Sequence, residues 1–142
     1  MMEDIQQRIN QLKEELQVDF VALALSTINE KTKVRVIRWE YVAGNTNQNY
    51  KKIRLQVGKG IGGIVWRTGR CYQANDLQEQ PEKLVELPIT RMEKLETIAA
   101  FPVMKAGEVK GVLLLGYRKK TKVTEEFLIA AKDKTNELVV YL

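Results

Sequence analysis

Histidine is absent from this chain, and cysteine occurs once, at Cys71. The first absence excludes a histidine-ligated haem, a zinc site with a histidine ligand and a histidine general base. The second excludes an internal disulfide and a Cys-X-X-Cys redox pair. Cys71 follows Arg70, and a basic neighbour lowers a thiol pKa. A lone cysteine at the start of a strand is more often a small buried apolar side chain, which is the expectation here. Aromatic residues make up 7%, little for stacking on single-stranded nucleic acid. No apolar run is long enough to cross a bilayer. The charged N-terminal segment lacks the apolar block of a secretory signal, so a cytoplasmic location is expected.

What is present reads as one globular domain over residues 1–142, with 44% hydrophobic and 29% charged residues. The net charge of +5 does not imply nucleic acid, because acids interleave through both terminal segments and no nucleic-acid motif occurs. A basic surface equally suits an acidic protein partner.

The stretch around which the chain is organised runs from Leu55 to Arg70, with Gly58, Gly60, Gly62, Gly63 and Gly69. Its spacing predicts turns at Gly58 and Gly60, then a short helix ended by Gly69 in a left-handed cap. Such a helix start offers unpaired N–H groups and partial positive charge to an anion. No acidic residue lies between Glu40 and Asp76, whereas Lys51, Lys52, Arg54, Lys59, Arg67 and Arg70 do. A packed surface helix with glycines for turns explains the same residues. Without a Gly-Lys-Ser/Thr ending the phosphate-binding loop motif fails.

Met2 to Gln17 reads as an amphipathic helix with a narrow Ile5, Ile9, Leu12, Leu16 stripe, able to dock on a sheet or to pair with a copy as a coiled-coil seam. From this narrowness a monomer or a weak homodimer through the terminal helices is expected. Val18–Leu25 reads as a strand covered on both faces. Lys33–Ala43 is a second strand, with Val34 and Val36 on one face and Ile37, Trp39 and Tyr41 on the other, a switch that a bulge near Val36 or burial of both faces would explain. Cys71–Ala74 is a short strand, and Asn75 or Asp76 is available as a cap. Gln80–Lys94, broken by Pro81 and Pro88, reads as short helical pieces. Two strands follow, Glu96–Met104 and Val109–Tyr117, and Pro102 in the first calls for an edge or a bulge. Thr124 caps a final helix. The order predicts an α+β fold with an antiparallel sheet, terminal helices on one face, and a loop and short-helix insert over a pocket on the other.

Val57–Val65, Asn75-Asp76, Ala99–Val103 and Gly111–Leu115 together resemble a GAF domain, the small-ligand sensor module, over nearly the whole chain. Within that family Asp19–Leu25, Val36–Val42, Ile53–Gly58, Pro88-Ile89 with Arg91–Leu95, and Gly111–Arg118 are most similar to stand-alone nitrate receptors. Those receptors act beside an oxygen-sensing histidine kinase in two-component regulation. The resemblance implies an anion held mainly by backbone N–H groups beside a tryptophan. Here that tryptophan is Trp39, the helix-start amides are Ile61 and Gly62, and the lid amide is Ile89, flanked by Leu87 and Pro88. Gly62 stands where alanine is expected and Leu87 where an aromatic is expected, so a wider pocket should follow. The implied partners are nitrate and a sensor histidine kinase, with no nucleic acid, membrane, metal or cofactor. No nucleophile, base and orienter assemble as a catalytic set, so a non-enzyme is expected. Three alternatives stay open: a pocket for a small organic effector such as an amino acid, a ligand-free dimerisation module, and an enzyme built on Cys71.

Overall fold

The computed structural model describes residues 4–142. Its first helix, α1, spans Ile5–Leu16. Asp4 starts it with a capping box: its carboxylate accepts from Gln7 N at 2.8 Å, and the Gln7 side chain accepts from Asp4 N at 3.4 Å. The expected start at Met2 lies outside the described residues. Ile9 and Leu12 are fully buried, so the narrow stripe docks on the sheet and is not free as a coiled-coil seam. Burying such a side chain stabilises by roughly 1.5–3 kcal/mol.

Five antiparallel strands follow: β1 (Phe20–Ile28), β2 (Arg35–Ala43), β3 (Tyr72–Ala74), β4 (Thr97–Lys105) and β5 (Glu108–Tyr117). Their order across the sheet is β2-β1-β5-β4-β3. Two of the three inner strands, β1 and β5, are the most continuously apolar stretches, and both of their faces are covered. Phe20, Ala22 and Ala24 enter one core with Val112 and Leu114. Val21 and Leu23 enter a second core with Leu113 and Leu115, beneath α1 and a final helix α5 (Glu125–Glu137). Thr124 caps α5, its hydroxyl accepting from Phe127 N at 3.1 Å.

The bulge in β2 falls at Glu40, not near Val36. Leu23 pairs Tyr41 and Ala24 pairs Trp39, which leaves Glu40 as the extra residue. The phase of the strand reverses there. Ile37, Trp39 and Val42 enter the first core, whereas Tyr41 and Ala43 lie with the second, so Tyr41 does not share the Trp39 face. Pro102 is accommodated because β3 pairs β4 only as far as Ala100. Beyond that residue β4 is an open edge, where a missing N–H costs nothing. The β4–β5 turn has positive φ at both Ala106 and Gly107 (51° and 78°), the twist required of a two-residue hairpin loop.

Over the first core lies the insert. Helix α2 spans Gly60–Thr68, α3 spans Pro81–Glu86 and α4 spans Pro88–Met92. The terminal helices and the insert therefore take opposite faces, as the element order predicts. Among the described residues no helix is long and apolar enough to cross a membrane.

Candidate functional site

The start of α2 is built by tight backbone turns. Gly58 and Gly60 have φ of 90° and 64°, conformations that cost glycine little. Gly58 N donates to Gly63 O at 2.7 Å, and Lys59 N donates to Gln56 O at 3.0 Å. Gly63 N reaches back to Lys59 O at 3.0 Å, the first bond of the helix. The N-cap, Lys59, supplies no side-chain acceptor. Among the described residues, therefore, nothing accepts from the N–H groups of Gly60, Ile61 or Gly62. All three residues are buried, so water does not readily take that place. Leaving a buried donor unpaired costs about 1–3 kcal/mol.

A second unpaired donor comes from α4. Thr90 N donates to Leu87 O at 3.0 Å, but among the described residues the N–H of Ile89, a residue 2% exposed, has no acceptor. Pro88, which precedes it, has no N–H to lose. The third source is the sheet. Trp39 is 3% exposed, and its indole Nε1 is buried without a hydrogen-bond partner among the described residues. A buried indole N–H usually finds one.

Trp39, Ile61, Leu87 and Ile89 belong to one apolar core. Gly62 joins it by close approach: a methyl placed on its Cα would lie 3.2 Å from Ile37 Cγ2 and 3.3 Å from Leu55 Cδ1. Five of the six site residues read from the sequence thus lie in one buried cluster. Pro88, half-buried, sits at its edge. There it lines an open cleft of about 420 Å³ with Leu55, Gly58, Lys59, Gly60, Ile64, Val85 and Glu86. Among the described residues, no open space beside Gly62 matches the wider pocket expected there. Ile37 and Leu55 fill the space beside Gly62, and Leu87 is itself 1% exposed. The basic residues Lys51, Lys52, Arg54, Lys59, Arg67 and Arg70 are all exposed. The cluster therefore offers buried neutral donors, with cations only outside it. That combination suits a small, weakly hydrated anion, which needs N–H donors but no buried counter-charge.

A GAF domain model matches residues 2–132, nearly the whole chain. The chain belongs to the GAF domain family. NreA from Staphylococcus aureus, mutated in its nitrate binding site, is 31% identical with a TM-score of 0.78, over 92% of this chain and all of that one. The hypothetical protein SA1058 from S. aureus is 31% identical with a TM-score of 0.77, over 84% of this chain and 97% of its own. A type II free methionine-R-sulfoxide reductase from Thermoplasma acidophilum shares the fold at 16% identity, with a TM-score of 0.74 and coverage of 96% and 87%. No curated protein matches the chain.

Three features of this GAF domain depart from, or were missed by, the reading of the sequence. Cys71 is exposed, not buried. Its thiol is pushed up, chiefly by desolvation, and Lys132 only partly opposes this. The cleft that it lines also includes Phe101, Pro102, Met104, Lys132 and Asn136. Phe101 packs beneath the terminal helices, so the thiol is on the other side of the sheet from Trp39. Asp76, expected as a cap, makes no capping bond and pairs instead with Lys120 at 3.6 Å.

The missed feature is a buried ion pair behind α4. Glu93 is 1% exposed, and its Oε1 accepts from Arg118 Nη2 at 2.6 Å and from Thr46 N at 2.9 Å. Arg118 also donates to Glu93 O and Gly44 O, each at 2.9 Å. These bonds fasten the end of α4, the loop after β2 and the end of β5 to one another. In the sequence both residues resemble ordinary surface charges, and nothing in their spacing sets them apart.

Proposed function

We propose that this GAF domain binds nitrate, or a similar small monoanion, in the cluster of Trp39, Ile61, Gly62 and Ile89, and so modulates a sensor histidine kinase. The observation that carries the reading is the set of buried N–H groups without acceptors: the Trp39 indole and the amides of Ile61, Gly62 and Ile89. Each donor to a charged acceptor contributes roughly 1.5–3 kcal/mol, and the start of α2 adds about 0.3–1 kcal/mol. These gains offset dehydration of the anion, and nitrate is weakly hydrated. The similarity to NreA, described as having a nitrate binding site, supports the same ligand. Leu87 and Pro88 hold Ile89 in place over the cluster.

The packing counts against an amino acid as ligand. Its carboxylate would need a cation inside the cluster, whereas Lys51, Lys52, Arg54, Lys59, Arg67 and Arg70 are all exposed and Arg118 is already bonded to Glu93. The role is that of a receptor, without catalysis. The one thiol of the chain is on the far side of the sheet and is held in its less nucleophilic form.

The decisive experiment is calorimetric titration with nitrate, chloride and sulfate of the wild type and of Trp39→Phe, a change that removes one donor and keeps an aromatic ring. Nitrate should bind the wild type, and the variant should bind it at least about tenfold more weakly, the equivalent of one charge-assisted hydrogen bond. Equal affinity in a folded variant would remove Trp39 from the site, and no heat with any anion would refute the reading.

A further inference from the structure

A surface cleft of about 730 Å³ lies at the other end of α2 from the donor cluster. Trp66, Arg67, Thr68 and Gly69 form one wall, the β4–β5 hairpin forms another, and Ser26 and Arg35 form the floor. We propose that this open cleft docks an acidic segment of a partner protein, with Arg35 and Arg67 meeting its carboxylates and Trp66 and Met104 taking an apolar neighbour.

Charge complementarity carries the proposal. Arg35, Arg67 and Lys110 line the cleft against one carboxylate, Glu108, which Lys110 already neutralises at 2.9 Å. Among the described residues neither Arg35 nor Arg67 forms an ion pair with a carboxylate. The guanidinium of Arg35 is fixed in place, 5.5 Å from the centre of the Trp66 ring and donating to Ser26 Oγ. A cation so held loses little side-chain freedom when a carboxylate arrives, and the one acid it faces in the cleft, Glu108, is shared with Lys110. Met104, 39% exposed, and half-buried Trp66 supply apolar surface beside the charges. Arg35 covers a face of Trp66, which leaves that ring poorly placed for stacking on a nucleic-acid base.

The occupant rests on the receptor reading, because a receptor needs a partner; the cleft itself does not. The probe is a fluorescein-labelled twelve-residue peptide in which glutamate alternates with leucine, with a lysine-leucine peptide as control. Fluorescence anisotropy at low salt should show binding of the acidic peptide only, weakening as salt rises. Arg35→Gln and Arg67→Gln should each weaken it by up to about fivefold, the scale of an exposed ion pair. Glu108→Lys should tighten it, a gain that misfolding cannot imitate. Trp39→Phe should leave peptide binding unchanged while losing nitrate, so the two readings fail separately. The proposal is overturned if the acidic peptide does not bind or if none of the cleft substitutions changes its affinity. It is equally overturned if single-stranded DNA or phosphatidylglycerol vesicles bind more tightly through these residues, or if the substitutions alter self-association of the chain instead.

Discussion

Adjacent glycines in α2 should respond very unequally to the same small change. A methyl on Gly63 would lie 2.2 Å from Gln56 O and 3.1 Å from Gly58 N, both backbone atoms of the turn that starts the helix. Those atoms cannot rotate away. Gly63 O also accepts from Gly58 N at 2.7 Å, so relieving the clash disturbs the turn. Overpacking costs about 1–3 kcal/mol when side chains can adjust, and a backbone clash belongs at or above the top of that range. At roughly 3 °C per kcal/mol for a chain of this size, Gly63→Ala should lower Tm by about 10 °C. A methyl on Gly62 meets only side-chain ends, Ile37 Cγ2 at 3.2 Å and Leu55 Cδ1 at 3.3 Å, which must yield by a few tenths of an ångström. Replacing glycine by alanine within a helix returns up to about 0.8–1 kcal/mol, so Gly62→Ala should fall within about 1 kcal/mol of the wild type and keep nitrate affinity. Urea unfolding and nitrate titration of both variants provide the assay. Equal stability for Gly63→Ala, or a loss above about 3 kcal/mol for Gly62→Ala, would refute the packing assigned to this turn.

Other outcomes follow from the same structure. Glu93→Gln removes the charge facing Arg118 and should cost about 1–3 kcal/mol in urea unfolding, less than a fully buried pair because the Arg118 side chain is 28% exposed. The hydrogen bonds of Arg8 and then Lys134 hold the Glu15 carboxyl below its ordinary value of 4.5. With the folded pKa lowered, the stabilisation is present above that value and is lost as pH falls through the folded pKa. The stability gap between wild type and Glu15→Gln should therefore be about 0.2–1 kcal/mol at pH 7 and should shrink as pH falls through the lowered folded pKa. Because the Ile89 amide comes from the lid, nitrate should slow hydrogen exchange over Leu87–Lys94 and Gly60–Gly63 and leave α5 little changed; protection confined to α1 and α5 would contradict closure of the lid.

The elements whose periodicity reflects a single buried face, or two, were legible in the sequence. β1 and β5 were readable as inner strands from their unbroken apolar runs, and the cap at Thr124 and the left-handed stop at Gly69 from residue type alone. The β2 bulge was visible only as a change of phase, and where it falls depends on pairing with β1, which local sequence does not encode. Cys71 was misjudged because exposure at the end of a three-residue strand is set by what packs above it. The proposed site residues were chosen through family likeness, since a backbone amide leaves no mark on side-chain pattern. The Glu93–Arg118 pair and the Arg35–Trp66 cleft join residues far apart in the chain, and their charges look like any others on a solvated surface.

The most direct test of anion binding is a nitrate titration followed in the two-dimensional amide spectrum of isotope-labelled protein. The cross-peaks of Ile61, Gly62 and Ile89 and the Trp39 indole should move together, saturate, and fit one Kd, because an anion accepting from all four changes each N–H at once. Unmoved peaks at these positions, with only gradual drift at exposed Lys51, Lys52 and Arg54, would mean that nitrate merely screens the basic surface and that the buried donors serve something else.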